Sequence, residues 1–377
     1  MSRTLEAQAE HAPRARWPTP PSGEYVHDVA YDYYGQRVAT CSSDNTIKIF
    51  NEHGRKVAEW RAHGGSIWRL SWMHPEFGVA LASCSFDRKV CVWEDVADAE
   101  EAAAQLDSAA GRVAWTRTAE LADARDSVVD VQFAPHHLGV RLASCSMDGF
   151  VRIHEAADVL DLSTWERHSD FHAAADTAAS KEGAGGAEAG GEGGYAGTSP
   201  LCLSWCPSIV ENEPMLVVGL SDGSAKLWRG HESSWSCVLS LGLGGARCHA
   251  DCVRSVSWAM DAGRSYQLVA TASRDQTVKL WALRRTSVAE EDDAAGAGPE
   301  GGGGAGAGGA VNPPADALGD GWSARCCAEL PHRSQVWRVS WNATGSMLAT
   351  SEDDGTVTVY QMDATGGWRF ARPVACQ

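Results

Sequence analysis

Three residues of the chain have the types that hydrolases use for nucleophilic catalysis. His63, Ser83 and Asp87 lie close together in sequence, and Trp93 ends the apolar run that follows them. A serine nucleophile needs a histidine that takes its proton and an acid that orients the histidine, so the set invites a hydrolase interpretation. A triad is identified by geometry and roles, however, and residue types alone do not establish one.

The same residue types return in other parts of the chain, which favours a structural interpretation. The further copies are His249–Asp275–Trp281 and His332–Asp354–Tyr360. An active site is needed once, whereas a buried hydrogen-bond chain that ties a repeated unit together is needed in several copies. We therefore predict that these residues stabilise a repeated unit and that the protein is not an enzyme.

Other candidate chemistry carries a weaker signal. "CHADC" at 248–252, with Cys202 and Cys206 before it, contains zinc-binding residue types, but no second pair has the spacing of a structural zinc site. The Gly-rich stretches 183–197 and 301–309 lack the strand, the helix and the Lys-Ser/Thr of a phosphate-binding loop. We predict neither a metal nor another cofactor.

Composition excludes further classes of function. The chain of 377 residues has a net charge of −17 and no basic cluster, which disfavours direct nucleic-acid binding. No apolar stretch approaches the roughly 20 residues of a membrane-spanning helix, and the amino terminus lacks the apolar segment of a secretory signal. Several of the 12 cysteines lie inside apolar runs, where a free thiol acts as a small hydrophobe, so a reducing compartment is expected.

The candidate residues belong to an internal repeat. The phrase "LASCSFDRKVCVW" at 81–93 returns as "LASCSMDGFVRIH" at 142–154 and "VATASRDQTVKLW" at 269–281. Its runs are short, β-branched and aromatic, and are bounded by Gly, Pro, Asp and Asn, which predicts strands joined by tight turns. The aspartates at the turns of six aligned copies are Asp44, Asp87, Asp148, Asp222, Asp275 and Asp354.

A fourth strand ends each copy, as in "WTRTAEL" at 115–121 and "WRFARPV" at 368–374. These runs alternate with polar residues, as an outer strand facing water should. The inner strands are apolar on both faces, so neighbouring units must cover both sides, and radial repetition of four-stranded units meets this need. The predicted fold class is all-β, a six-bladed WD-repeat β-propeller.

The predicted domain organisation is simple. Residues 1–24 form a polar, Pro-rich and flexible tail, and residues 25–377 form a single β-propeller domain. Insertions rich in Ala, Gly and acidic residues interrupt it at about 95–112, 173–199 and 284–321, and we expect them to be disordered because they cannot bury enough apolar surface.

The propeller is expected to be open. All six copies have their own fourth strand, so nothing obliges the amino-terminal tail to complete a blade. A gap between the first and sixth blades would expose apolar faces, which a partner would cover by contributing strands in trans. The residues predicted to face such a partner blade are Val29, Ile47, Ile49, Val339, Val357 and Val359.

Four segments resemble one group of WD-repeat scaffold proteins, the Sec-thirteen/Seh-one family. They are "HDVAYDYYGQRVATCSSDNTIKIF", "GSIWRLSWMHPEFGVALASCSFDRKVCVWE", "SVVDVQFAPHHLGVRLASCSMDGFVRIHEAADVLDLSTWE" and "SQVWRVSWNATGSMLATSEDDGTV". The second, third and sixth blades are more similar to the Seh-one nucleoporin than to Sec-thirteen. Blades four and five and the glycine-rich insertions depart from the family pattern.

The resemblance implies a non-enzymatic scaffold subunit of the Y-shaped outer-ring subcomplex of the nuclear pore complex, at the nuclear envelope. The implied partner is an α-solenoid nucleoporin of the type called eighty-five, which donates a blade, together with other subunits of that complex. Such a subunit supports nucleocytoplasmic transport of protein and mRNA. A second role in a SEA/GATOR-type nutrient-signalling complex, at the lysosome or vacuole surface or in the cytoplasm, is also implied.

Two alternatives stay open at this stage. Sec-thirteen implies a coat subunit of endoplasmic-reticulum export vesicles, which needs the same gap but a different solenoid. A peptide-reading WD-repeat adaptor would instead favour a closed propeller that binds its ligand on one end. For the protein itself we predict no direct nucleic-acid binding and no membrane insertion.

Overall fold

The computed structural model describes residues 24–95, 115–175, 197–209, 213–242, 246–261, 263–285, 321–363 and 366–374. The amino-terminal tail up to residue 23 and the central parts of the three predicted insertions lie outside these residues. The chain divides into two compact units, one of residues 1–133 with 156–165 and one of residues 134–155 with 166–377.

The described residues form 24 strands in six four-stranded antiparallel sheets, here called blades. The first blade has β1 (Val26–Tyr31), β2 (Arg37–Ser42), β3 (Thr46–Asn51) and β4 (Lys56–Arg61); the second has β5 (Ile67–Trp72), β6 (Ala80–Ser85), β7 (Val90–Asp95) and β8 (Trp115–Leu121). The third has β9 (Val128–Phe133), β10 (Arg141–Ser146), β11 (Phe150–Asp158) and β12 (Asp161–His172). The fourth has β13 (Pro200–Trp205), β14 (Met215–Leu220), β15 (Ala225–His231) and β16 (Ser234–Leu241). The fifth has β17 (Val253–Trp258), β18 (Gln267–Ser273), β19 (Thr277–Arg285) and β20 (Trp322–Pro331); the sixth has β21 (Val336–Trp341), β22 (Met347–Glu352), β23 (Val357–Met362) and β24 (Trp368–Val374).

Burial along the strands follows the pattern that the sequence predicts. All six residues of β6 and all six of β14 are buried, whereas β4 and β8 consist mainly of exposed and partly buried residues. The second strand of each blade is paired on both sides, and the fourth lies at the edge of its sheet. The all-β, six-bladed WD-repeat β-propeller class is therefore confirmed.

The hairpin between the second and third strands needs one residue of positive φ. Gly149, Gly223 and Gly355 follow their aspartates at φ between +82° and +92°. In the other three copies Asn45, Arg88 and Gln276 adopt the same conformation, at φ between 67° and 69°. Glycine takes this conformation without steric cost, and a residue with a Cβ pays about 1–2 kcal/mol there.

The first strands of neighbouring blades are linked by side chains. In the unit of residues 1–133, the carboxylate of Asp28 in β1 accepts from the Leu70 N–H of β5 at 3.0 Å. In the other unit, the Ser204 hydroxyl of β13 accepts from the Trp258 N–H of β17, also at 3.0 Å. Polar side chains on the first strands therefore align consecutive blades within each unit.

Two single-turn 3₁₀ helices, Pro75–Phe77 and His136–Leu138, lie between the first and second strands of the second and third blades. Within the described ranges, no helix has the length and apolar character needed to traverse a bilayer.

Candidate functional site

The second blade contains the hydrogen-bond chain that the sequence suggests. His63 Nδ1 lies 3.0 Å from Asp87 Oδ2, and His63 Nε2 lies 2.8 Å from the Ser83 hydroxyl, which accepts from Trp93 Nε1 at 2.9 Å. Because a carboxylate only accepts, Nδ1 carries the imidazole proton and Nε2 accepts from Ser83. The Asp87 carboxylate also accepts from the Gly64 N–H at 2.9 Å, so the chain joins a loop, a turn and two strands.

This chain of hydrogen bonds has the connectivity of a serine-protease triad, but a substrate cannot reach it. Ser83 has no exposed surface, and the Trp93 indole occupies its hydroxyl oxygen. Although burial alone would raise the pKa of Asp87, hydrogen bonds from His63 and the Gly64 N–H lower it, which keeps the carboxylate ionised. The arrangement can stabilise the blade but cannot bring a nucleophile to a substrate.

The fifth blade repeats the arrangement with threonine in place of serine. His249 Nδ1 lies 3.0 Å from Asp275 Oδ2, His249 Nε2 lies 2.8 Å from Thr271 Oγ1, and Trp281 Nε1 donates to the same Oγ1 at 3.0 Å. Burial would raise the pKa of Asp275, but hydrogen bonds from His249 and Thr277 lower it. Thr271 has no exposed surface either.

The sixth blade differs from the prediction that His332 binds Asp354. His332 Nδ1 faces the Leu330 carbonyl at 2.9 Å, while Asp354 lies in an exposed turn where it accepts from the Thr356 N–H. Glu352 accepts from the Arg333 N–H at 3.1 Å, which is the bond that Asp87 makes to Gly64 in the second blade. The longer Glu side chain, two residues earlier in the chain, thus replaces the turn aspartate.

The three remaining turn aspartates bond to residues of their own hairpins. Asp44 accepts from the Thr46 N–H at 2.8 Å, Asp148 forms a buried ion pair with Arg152 at 2.6 Å, and Asp222 accepts from the Ser224 N–H at 2.9 Å. All three close the hairpin turn.

Three of the four cysteines considered for zinc binding lie in the apolar core of the fourth and fifth blades. Cys202, Cys206 and Cys248 belong to one cluster of buried side chains, and Cys248 Sγ lies 3.1 Å from the Gly223 carbonyl. Burial raises the pKa of Cys248 to about 12, so its thiol stays protonated at neutral pH. Over the described ranges, no three His, Cys, Asp or Glu side chains lie close enough together to hold a metal ion.

The six residues predicted to face a partner blade separate into two groups. Val29 is 48% exposed, and Val357 and Val359 are partly buried. Ile47, Ile49 and Val339 are buried and differ from the prediction.

Strand parity explains the buried group. Ile47 and Ile49 pack with Ile67 and Leu70 of the second blade, and Val339 packs with side chains of the fifth. Successive side chains of a strand point to opposite faces of the sheet, and these three point to the face that a neighbour within the same unit already covers.

The face of the first blade that carries Val29 is the most exposed apolar strand face of the described chain. Val26, Val29 and Tyr31 on β1 are 44%, 48% and 61% exposed, and we call these three residues the first-blade face. At the same positions of the second blade, Ile67 and Leu70 are 0% and 5% exposed. Val26 and Tyr31 were not among the predicted residues, although the alignment of the first strands places them beside Val29.

A small charge cluster borders the first-blade face. Lys48 Nζ on β3 lies 3.0 Å from Asp44, 3.7 Å from Glu59 and 3.9 Å from Glu24. Although partial burial alone would lower it, the hydrogen bond to Asp44 and the three negative charges raise the pKa of Lys48. The ammonium group is therefore charged at neutral pH.

Comparisons with known proteins agree with the repeat structure. A family model described as "WD domain, G-beta repeat" matches residues 17–51, 54–94, 230–282 and 324–361. Nucleoporin SEH1-A of Xenopus laevis is 33% identical over 358 residues, which cover 92% of this chain and 84% of that protein. Nucleoporin SEH1 of Homo sapiens is 34% identical over 357 residues, with the same two coverages, and that of Osmerus mordax is 34% identical over 361 residues. With this identity along nearly the whole length of both chains, the protein belongs to the nucleoporin SEH1 family of WD-repeat proteins.

Proposed function

We propose that this protein is a scaffold subunit of the Y-shaped outer-ring subcomplex of the nuclear pore complex, where it supports transport of protein and mRNA. Membership of the nucleoporin SEH1 family makes it a non-enzymatic WD-repeat nucleoporin of the nuclear envelope, with partners in the nuclear pore. The finer proposal names the partner as an α-solenoid nucleoporin of the eighty-five type, which donates one blade to the first-blade face.

The exposure of the first-blade face is the observation that carries this proposal. First strands in the other blades bury the corresponding side chains: Val253 and Val256 of β17 are 0% and 6% exposed, and Val128 and Val131 of β9 are 1% and 2% exposed. Fully burying an aliphatic or aromatic side chain contributes about 1.5–3 kcal/mol. A blade packed against Val26, Val29 and Tyr31 would gain stabilisation that each of the other first strands already has.

A lysine of the fourth blade shows how Lys48 would contact the donated blade. Lys226 occupies the same position of β15 as Lys48 does of β3, four residues after the turn aspartate. Its buried ammonium donates to the carbonyls of Ala174 and Ala175, at 2.7 and 3.0 Å, just beyond the last strand of the preceding blade. Carbonyls at the end of the partner's last strand would accept from Lys48 in the same way.

The alternative functions differ in the partner. A Sec-thirteen-like subunit of export-vesicle coats would use the same face for another solenoid, and a subunit of a SEA/GATOR-type complex would work at the lysosome or vacuole surface or in the cytoplasm. A peptide-reading adaptor would leave the first-blade face without a blade. Because the similar proteins are nucleoporins, the nuclear pore is favoured over these alternatives.

Affinity purification of the tagged full-length chain from its own cells tests the proposal. The informative variant is Tyr31→Glu, which puts a charge on the first-blade face, and its matched control is Phe86→Glu. Both side chains are 61% exposed and lie in the same unit, but Phe86 is in the turn after β6. Burying an unpaired carboxylate costs several kcal/mol, so we expect Y31E to lower recovery of the solenoid nucleoporin at least tenfold.

The control variant F86E should recover outer-ring nucleoporins as the unmodified chain does. Equal recovery with Y31E would refute the use of this face, and recovery of vesicle-coat proteins in place of nucleoporins would refute the nuclear-pore assignment. Matching thermal unfolding midpoints of the two variants establish that both are folded.

A further inference from the structure

Arg254 of the fifth blade and Trp337 of the sixth blade form a polar site that no part of the function proposed above uses. The Arg254 guanidinium carbon lies 4.7 Å from the centre of the Trp337 ring, within the distance of a cation–π contact. Arg254 is the second residue of β17 and Trp337 the second residue of β21, so both lie at the same end of neighbouring first strands. Trp337 is 42% exposed, which leaves part of the indole open to a ligand.

Unlike Arg152 and Arg274, Arg254 has no acidic partner in the described part of the chain. Arg152 pairs with Asp148 at 2.6 Å, and Arg274 pairs with Asp251 at 3.7 Å. Among the described residues, the buried Nε of Arg254 has no acceptor, and the guanidinium lies over the ring of Trp337. A guanidinium that is partly desolvated and positioned over an indole ring is preorganised to bind a planar anion.

Charges around the pair restrict which anion fits. Trp337 Nε1 donates to Asp353 Oδ1 at 2.8 Å, so a carboxylate already lies at the edge of the indole. A dianionic phosphate would meet stronger repulsion from Asp353 than a single carboxylate would, and the fork of one guanidinium matches one carboxylate in a bidentate pair. Trp and Arg are also the residues most enriched where binding energy concentrates in interfaces.

We propose that Arg254 and Trp337 form a binding site for a carboxylate of an acidic peptide segment from a partner protein. The carboxylate pairs with the Arg254 guanidinium, and the peptide's apolar atoms cover the open part of the Trp337 ring. This site is separate from the first-blade face, and it would let the protein hold a second partner in addition to the donated blade.

Fluorine NMR of the full-length chain labelled with 5-fluorotryptophan tests the site. The Trp337 resonance is assigned by its loss in Trp337→Phe. The probes are hexapeptides, Gly-Ser-Glu-Gly-Ser-Gly with both ends capped, the same peptide with Gln or phosphoserine in place of Glu, and the Gln peptide with a free carboxyl terminus.

We expect the Glu peptide to shift the Trp337 resonance saturably and the capped Gln peptide to leave it unchanged. A response to the uncapped Gln peptide would identify a terminal carboxylate as the ligand, within the same proposal. Arg254→Gln should weaken binding about tenfold, the loss expected for a charge-assisted hydrogen bond, while Arg274→Gln, the matched control, should leave it within about threefold.

Three results would overturn the proposal. They are a Trp337 resonance that no carboxylate peptide moves, a response that survives R254Q, and tighter binding of the phosphoserine peptide than of the Glu peptide. The R254Q chain must retain the fluorine signals of the other tryptophans, which shows that it is folded.

Discussion

Replacing Asp87 with alanine should destabilise the protein far more than the same change at Asp354, although both aspartates occupy the same place in the repeat. Asp87 accepts from the imidazole of His63, whose side chain has no exposed surface, and from the N–H groups of Gly64 and Lys89. Asp354 accepts from its local neighbour Thr356 in an exposed turn.

The size of the effect follows from what D87A leaves behind. The buried Nδ1–H of His63 loses its acceptor, and an unsatisfied buried donor costs about 1–3 kcal/mol. The Gly64 N–H is near the surface and can bind water instead, so the loss of its hydrogen bond to Asp87 adds about 0.5–1.5 kcal/mol. We therefore expect D87A to lower the free energy of unfolding by about 1.5–4.5 kcal/mol and D354A to produce no resolvable change.

Urea denaturation followed by far-UV circular dichroism measures the difference. Comparable slopes for the unmodified chain, D87A and D354A make the midpoints comparable. Two results would contradict the conclusion that the buried histidine determines the role of the turn aspartate. They are equal midpoints for the two variants and a loss of unfolding free energy below ~0.5 kcal/mol for D87A.

Three further comparisons test the packing and the electrostatics. Although burial alone would raise it, hydrogen bonds lower the folded-state pKa of Asp275 below 3.8. The stabilisation that the Asp275 carboxylate provides is therefore complete above that pH and is lost as the pH falls through the folded pKa. The difference in urea midpoint between the unmodified chain and D275N should shrink below pH ~4. Gly223→Ala should cost at least ~2 kcal/mol more than Gly355→Ala, since both glycines have positive φ but only the Cβ at 223 would lie 2.5 Å from the His249 carbonyl oxygen. Ile49→Ala should cost about 2–5 kcal/mol because Ile49 is fully buried, whereas Val29→Ala should cost less than ~1 kcal/mol in the isolated chain, and thermal unfolding distinguishes the two.

The strands could be predicted from the sequence because one phrase recurs. Alignment on "LASCS", the turn aspartate and the aromatic that ends the third strand placed all six blades, including the fourth strands that open with tryptophan. Each of these signals is local, so it survives insertions of any length between the strands.

The contacts between elements could not be predicted from the same signals. The replacement of the turn aspartate by Glu352 depends on the reach of a side chain from the end of β22 to the N–H of Arg333, which no sequence pattern marks. The pairing of Arg254 with Trp337 likewise depends on two strands that lie far apart in sequence.

The residues of the partner face show a different limit. Apolar character alone selected Ile47 and Ile49, whose strand β3 is covered on that face by the second blade. Val26, Val29 and Tyr31 lie on the opposite face of the first blade. Their exposure is recognised only when each residue is compared with its equivalent in the other blades. Sequence periodicity identifies an apolar face, but only the packing shows whether a neighbour covers it.

The central claim is that a blade from another polypeptide packs against the first-blade face. A photo-crosslinking amino acid placed at position 29 in the tagged chain, activated in living cells, reports directly on what lies against that face. We expect crosslinked peptides from the α-solenoid nucleoporin. Crosslinks solely to this chain's own residues, while that nucleoporin still co-purifies, would contradict it.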